Sequence, residues 1–160
     1  MTSKRILVAE DDASIRLLEK KILESAGYQV DCAENGDVAL EMVKQERYVL
    51  VVADVMMPGI NGFELTKRIA ELYHRTLPVL LVTAVPDPLN AAHAEDAKPM
   101  STLRKPFTAA ALLTAVRLLE AQGKKTPAKE ASSPKAPSVE KRSKSWFEKL
   151  FHPSDTREKK

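Results

Sequence analysis

Ile6-Leu7-Val8-Ala9-Glu10-Asp11-Asp12 passes from four apolar residues straight to three acids. An apolar run this short, with no polar alternation, reads as a strand covered on both faces, Arg5 to Ala9, of the kind found in parallel sheets. Because it stops abruptly on carboxylates, its carboxyl end delivers Glu10 and Asp11 to a surface. The pattern recurs downstream. Tyr48 to Ala53 (YVLVVA) is too apolar to have a wet face and ends on Asp54, and Leu77 to Val82 ends on Thr83. Pro78 is tolerable there only at the start of the strand.

Between these runs the period changes from continuous to helical. Ala13 to Ala26 places Ile15, Leu18, Ile22 and Leu23 on one face, and Gly27 supplies a C-terminal stop. Residues 29 to 33 read as a further strand. Gly36 to Gln45 carries Ala39, Leu40 and Val43 on one face, with Met42 at its edge. Asn61 to Tyr73 is amphipathic through Phe63, Leu65, Ile69 and Leu72. Asp87 as N-cap and Pro88 at the first helical position open a short helix that stops before Lys98-Pro99. Residues 100 to 103 make a weak fifth strand, and Thr108 to Ala121 a last helix with Leu112, Leu113, Val116 and Leu119.

Strands alternating with helices at this spacing imply βαβ crossovers, hence an α/β fold with a five-stranded, doubly wound parallel sheet. In such sheets functional groups gather outside the carboxyl ends of the strands. Those ends carry Glu10, Asp11, Asp54 and Thr83, with Lys105 just after the fifth strand. Three converging carboxylates repel one another, and they either raise their pKa values or hold a cation. A hard divalent ion with oxygen ligands, Mg²⁺, is the simplest answer. If Asp54 is also a nucleophile, the ion neutralises incoming phosphoryl oxygens while Lys105 and the Thr83 hydroxyl hold others. Taken singly, acids at strand ends are more often caps and solvated loop residues. That reading leaves Lys105 and Thr83 at matching strand ends without a reason.

Other residues carry blander readings. Asp12 reads as the N-cap of the first helix, Cys32 as a small core or strand-end residue, and the side chains of Met56 and Met57 as loop packing. A single cysteine excludes an internal disulfide or a multi-cysteine zinc site, and His74, His93 and His152 have no ligand spacing. Nothing marks His93 as a phosphate carrier. No apolar run approaches the length of a membrane span. The N-terminus reaches three acids before any stretch of signal-peptide length, so a reducing cytoplasm is the expected location.

The formal net charge of +3 hides a division along the 160 residues. Residues 1–122 hold 14 Lys and Arg against 17 Asp and Glu, whereas residues 123–160 hold 11 against 5. The folded part, 1–122, is therefore acidic, and no specific nucleic-acid binding is expected. Residues 123–144, rich in Lys, Pro, Ala and Ser, cannot bury enough apolar surface to offset the entropy of ordering and read as a disordered linker. Residues 145–160 begin with Ser-Trp-Phe-Glu-Lys-Leu-Phe, the chain's aromatic cluster. Trp146, Phe147, Leu150 and Phe151 would form one apolar stripe on a helix too short to persist alone in water. They read as a docking segment, for a protein partner ahead of an anionic membrane surface or the chain's own folded domain.

ILVAEDD at 6–12, DVMMPGINGFEL at 54–65, VTA at 82–84 and KPF at 105–107 together resemble the receiver domain of two-component response regulators. The resemblance implies a flavodoxin-like receiver fold with strand order 2-1-3-4-5. It implies Asp54 as phosphoacceptor, Glu10 and Asp11 as the acidic pair, and the Met56 backbone carbonyl as a further Mg²⁺ ligand. Thr83 and Lys105 become the phosphoryl-sensing residues, and Lys105-Pro106 a cis peptide that aims the lysine. A histidine kinase or phosphotransfer protein would be the donor, and the protein would be no enzyme beyond its own phosphorylation and slow dephosphorylation. Two features depart from the pattern. Receivers carry Tyr or Phe three residues before the lysine, where Thr102 stands here, and Asp96 to Met100 lacks the common glycine. A localisation or scaffold adaptor with a rarely phosphorylated receiver is the alternative. A metal-dependent phosphatase would need a second aspartate where Met56 stands.

Overall fold

A computed structural model describes residues 3–74, 76–84 and 101–123. The described elements are, in chain order, β1 (Arg5–Ala9), α1 (Ala13–Ser25), β2 (Gln29–Ala33), α2 (Gly36–Gln45), β3 (Leu50–Asp54), α3 (Gly62–Tyr73), β4 (Val79–Thr83), β5 (Ser101–Arg104) and α4 (Ala109–Gly123). The sheet order is β2-β1-β3-β4-β5 and every pairing is parallel. The architecture expected from the sequence is the one observed. The short helix expected between Asp87 and Lys98, the aromatic segment 145–160 and the linker expected over 123–144 lie outside the described residues, except Gly123, which belongs to α4 instead of the linker.

The sheet is apolar on both faces because both are covered. Leu7, Ala9, Val51, Ala53 and Leu81 pack with Ala39, Leu40, Val43, Leu65 and Ile69 of α2 and α3. Ile6, Val8, Val30, Leu50, Val52, Leu80 and Val82 pack with Leu23 of α1 and Leu112, Val116 and Leu119 of α4. Each fully buried side chain of this kind contributes roughly 1.5–3 kcal/mol, so the two cores fix which way every strand faces. Strand β1 then lies between β2 and β3, and the chain runs outward from it in both directions. The carboxyl ends of β1 and β3 therefore flank the switch point of the sheet.

Three details depart from the sequence reading. The third strand begins at Leu50, because Tyr48 turns its hydroxyl to Asp31 at 3.0 Å instead of entering the ladder. The fourth begins at Val79, with Pro78 outside it lending only its carbonyl to Val51 N–H at 3.0 Å. Two leucines expected on buried faces, Leu18 and Leu72, are 52% and 48% exposed. On α3 the buried stripe runs through Leu65 and Ile69 to the half-buried Tyr73, whose hydroxyl donates to the Val43 carbonyl. On α1 it runs through Leu23 and, one turn earlier, a buried glutamate, Glu19.

Candidate functional site

Each acid of the site is placed by a local device. Asp12 caps α1, its carboxylate accepting from Ser14 N–H at 2.8 Å and Ile15 N–H at 3.0 Å. These two bonds hold its pKa below the ordinary aspartate value. The turn so formed points Asp12 N–H at Glu10 Oε1, 3.1 Å away, and Arg16 of the first helical turn donates to the Glu10 carbonyl at 2.7 Å. Glu10 is thereby fixed, 1% exposed, at the end of β1, while Asp11 beside it faces solvent.

Asp54 ends β3, with 7% of its surface exposed. The loop after it folds back sharply, Val55 N–H reaching the Val82 carbonyl and Gly62 N–H the Val55 carbonyl. A Cβ on Gly62 would lie 2.4 Å from the Asp54 carbonyl oxygen, so only glycine lets α3 start this close to the strand. Gly59 turns the same loop at φ +74°. Met56 N–H approaches Asp54 Oδ1 at 3.4 Å. The Met56 side chain does not pack into the loop as expected. It is 67% exposed, whereas Met57 enters the core.

Across the sheet, Lys105 N–H donates to the Thr83 carbonyl at 2.8 Å, and the Lys105-Pro106 peptide is cis. The lysine thus leaves β5 directed at the acids, its ammonium 2.8 Å from Glu10 Oε2 and 3.4 Å from Asp54 Oδ2. Thr83 is buried at the end of β4. Thr102 lies half-buried on β5 opposite Leu81, two residue pairs before the Thr83–Arg104 pair.

Glu10, Asp11 and Asp54 each offer a carboxylate oxygen, and the three atoms lie within 4.8 Å of one another. Burial raises the Glu10 pKa and the Asp54 charge adds to it, against the hydrogen bonds from Lys105 and Asp12 N–H. For Lys105, burial works against the charged form, but the hydrogen bond to Glu10 and the Asp54 charge outweigh it and the pKa is raised. The ammonium bridging two carboxylates shows that the cluster demands positive charge. Its donors are all oxygens, as a hard cation requires, so these residues can hold a metal ion. The structure brings together Glu10, Asp11, Asp54 and Lys105, with Thr83 at the adjoining strand end; Trp146, Phe147, Leu150 and Phe151 lie outside the described residues.

One ionisable residue escaped the sequence reading. Glu19 is 1% exposed, and its Oε1 has no hydrogen-bond partner. Its position, four after Ile15 and four before Leu23, puts it on the inward face of α1, and that spacing was the available sign.

A doubly wound parallel sheet with a carboxylate cluster at its switch point and a lysine reaching in from the last strand defines the class of the domain. The response regulator receiver domain model matches residues 6–117, and the chain belongs to that family, as a receiver domain of two-component systems. It is 35% identical to the response regulator RppA of Synechocystis sp. over 118 residues, covering 72% of this chain and 50% of that protein. It is 32% identical to the transcriptional regulatory protein ResD of Bacillus subtilis over 130 residues, 81% of this chain and 53% of that one. The chain spans about half the length of these relatives. Among solved structures, a CheY-like receiver domain protein from Methanospirillum hungatei superposes with a TM-score of 0.72 at 27% identity, covering 78% of this chain and 98% of that one. The chemotaxis response regulator CheY4 of Vibrio cholerae gives 0.68 at 29% identity, covering 74% and 99%. Among the described residues no helix is long and apolar enough to cross a membrane.

Proposed function

We propose that this receiver accepts a phosphoryl group on Asp54 from a histidine kinase or phosphotransfer protein, and passes the signal on by protein–protein contact. The observation that carries the reading is the buried Asp54 beside Glu10 and Asp11, all within 4.8 Å, with Lys105 spanning two of them. Glu10, Asp11, Asp54 and the Met56 carbonyl would hold Mg²⁺, which when bound supplies positive charge for the phosphoryl oxygens. The Asp54 carboxylate attacks the donor's phosphorus, and the bond to the donor's leaving atom breaks with that atom keeping the electron pair. Lys105, held charged by its neighbours, is placed to leave Glu10 for a phosphoryl oxygen, and the Thr83 hydroxyl at the adjoining strand end supplies a further donor. The protein turns over no substrate beyond its own phosphorylation and slow dephosphorylation.

Output runs through the receiver surface and through Trp146, Phe147, Leu150 and Phe151, which take a protein target. Thr102, in place of the usual aromatic, favours a second reading in which the chain is an adaptor and phosphorylation is rare. Acetyl phosphate with Mg²⁺ or with EDTA, followed by intact mass, tests the proposal. A stable phosphoryl adduct forms with Mg²⁺ and not with EDTA; equal labelling in both refutes the metal site, and no labelling in either favours the adaptor.

A further inference from the structure

Beneath the acid cluster lies a fourth carboxyl that the reaction as described does not use. Side chains of a helix lean toward its N-terminus, and the N-terminus of α1 stands at the site, so Glu19 reaches from the second turn toward Glu10 and Asp54. It hydrogen-bonds to neither, and it is not among the acids whose oxygens cluster within 4.8 Å. Glu19 thus stands outside that cluster, yet the charges of Glu10, Lys105 and Asp54 all act on it.

Among the described residues, the neighbouring polar groups are engaged elsewhere. Strand β2 presents Cys32, whose thiol burial pushes up, while Asp31 of that strand is taken by Arg5 and Tyr48. Helix α4 buries Leu112, Val116 and Leu119, leaves Arg117 exposed, and commits Glu120 to Lys4 and Tyr28. On its own helix, Arg16 is occupied by the carbonyls of Glu10 and Asp11, and Lys20 by Glu24. For a carboxyl 1% exposed with an orphaned oxygen, the neutral acid is strongly favoured over the carboxylate.

We propose that Glu19 is a tuning residue of the phosphoacceptor site: neutral while the site is at rest, and on ionisation adding a negative charge below the cluster that tightens its hold on a divalent cation. This rests on the reading of Glu10, Asp11 and Asp54 as a Mg²⁺ site. Burial, with the charge of Glu10 behind it, places the Glu19 pKa at about 8, so the change falls just above neutrality. Because the added charge acts across more than a ligand distance and through a high effective dielectric, the gain in Mg²⁺ affinity is modest, about three- to tenfold.

The test is Mg²⁺ titration calorimetry on the full chain at pH 6.5 and pH 9, with Glu19→Gln as the neutral isostere and Glu19→Leu as a second variant that removes the polar group. In the original protein affinity rises about three- to tenfold between the two pH values beyond any rise in the variants. An equal rise in all three overturns the proposal while leaving the metal site standing. Absence of Mg²⁺ binding by the original protein overturns both. A ¹³C-carboxyl NMR titration of the metal-free protein reads the same residue without the ion, and a Glu19 carboxyl that ionises near an ordinary glutamate value also overturns the proposal.

Discussion

At the scale of single residues, Glu19 ties stability to pH. Its folded-state pKa of about 8 lies above the ordinary 4.5, so the native chain holds this proton more tightly than the unfolded one. The contribution is fully present below about pH 4.5 and is lost as pH rises toward 8. At roughly 1.36 kcal/mol per unit, the loss has an upper bound of about 4–5 kcal/mol. Glu19→Leu should therefore raise the unfolding free energy by a few kcal/mol more at pH 8.5 than at pH 5; urea melts at the two pH values check this, and an equal effect at both contradicts it. Met56 carries the other residue-scale expectation. Its exposed side chain stands two residues after Asp54 and has no strong acceptor with which to orient an attacking water. The phosphorylated form should be long-lived, and Met56→Asn should shorten its lifetime severalfold, measured as decay of the phosphoryl adduct by intact mass.

The elements show what apolar pattern does and does not reveal. β1, β3 and β4 were legible, with their terminal Glu10, Asp54 and Thr83, because a buried parallel strand is continuous and its end is an abrupt change of chemistry. Helix faces were less so. Reading hydrophobic periodicity credits Leu18 and cannot credit Glu19, although the packed face of α1 takes the glutamate and leaves the leucine in water. The start of β3 was misplaced by two residues because Tyr48 is apolar enough to extend a strand, while its hydroxyl is drawn to Asp31. One element bears directly on the site. The cap of α1 both satisfies the helix and shapes the turn that points Asp12 N–H at Glu10. Asp12→Ala should cost about 1 kcal/mol, read from the denaturant midpoint, and should weaken Mg²⁺ binding because Glu10 is then less firmly held. Unchanged stability would remove the cap from this account.

For the whole molecule, charge divides the sequence, residues 1–122 being acidic and residues 123–160 basic. Aromatic side chains dominate interfaces when a partner buries them, so Trp146→Ala with Phe151→Ala should abolish capture of a protein target or cellular localisation. Phosphorylation of Asp54 should be unaffected; if capture and localisation are unchanged as well, output passes through the receiver surface near Thr102. The domain's topology was legible down to strand order once the motifs at 6–12, 54–65, 82–84 and 105–107 were read together. The charge relations inside it were not, since the Lys105 bridge between Glu10 and Asp54 depends on strands brought side by side from distant parts of the chain. That bridge and the crowding it relieves make Asp54 the centre of the account. The most direct measurement is intact mass after acetyl phosphate and Mg²⁺, with the original chain beside Asp54→Asn. One stable phosphoryl adduct on the original and none on the variant, with the variant at least as stable to unfolding because a crowded charge is gone, is the predicted result. A stable adduct on Asp54→Asn would contradict it.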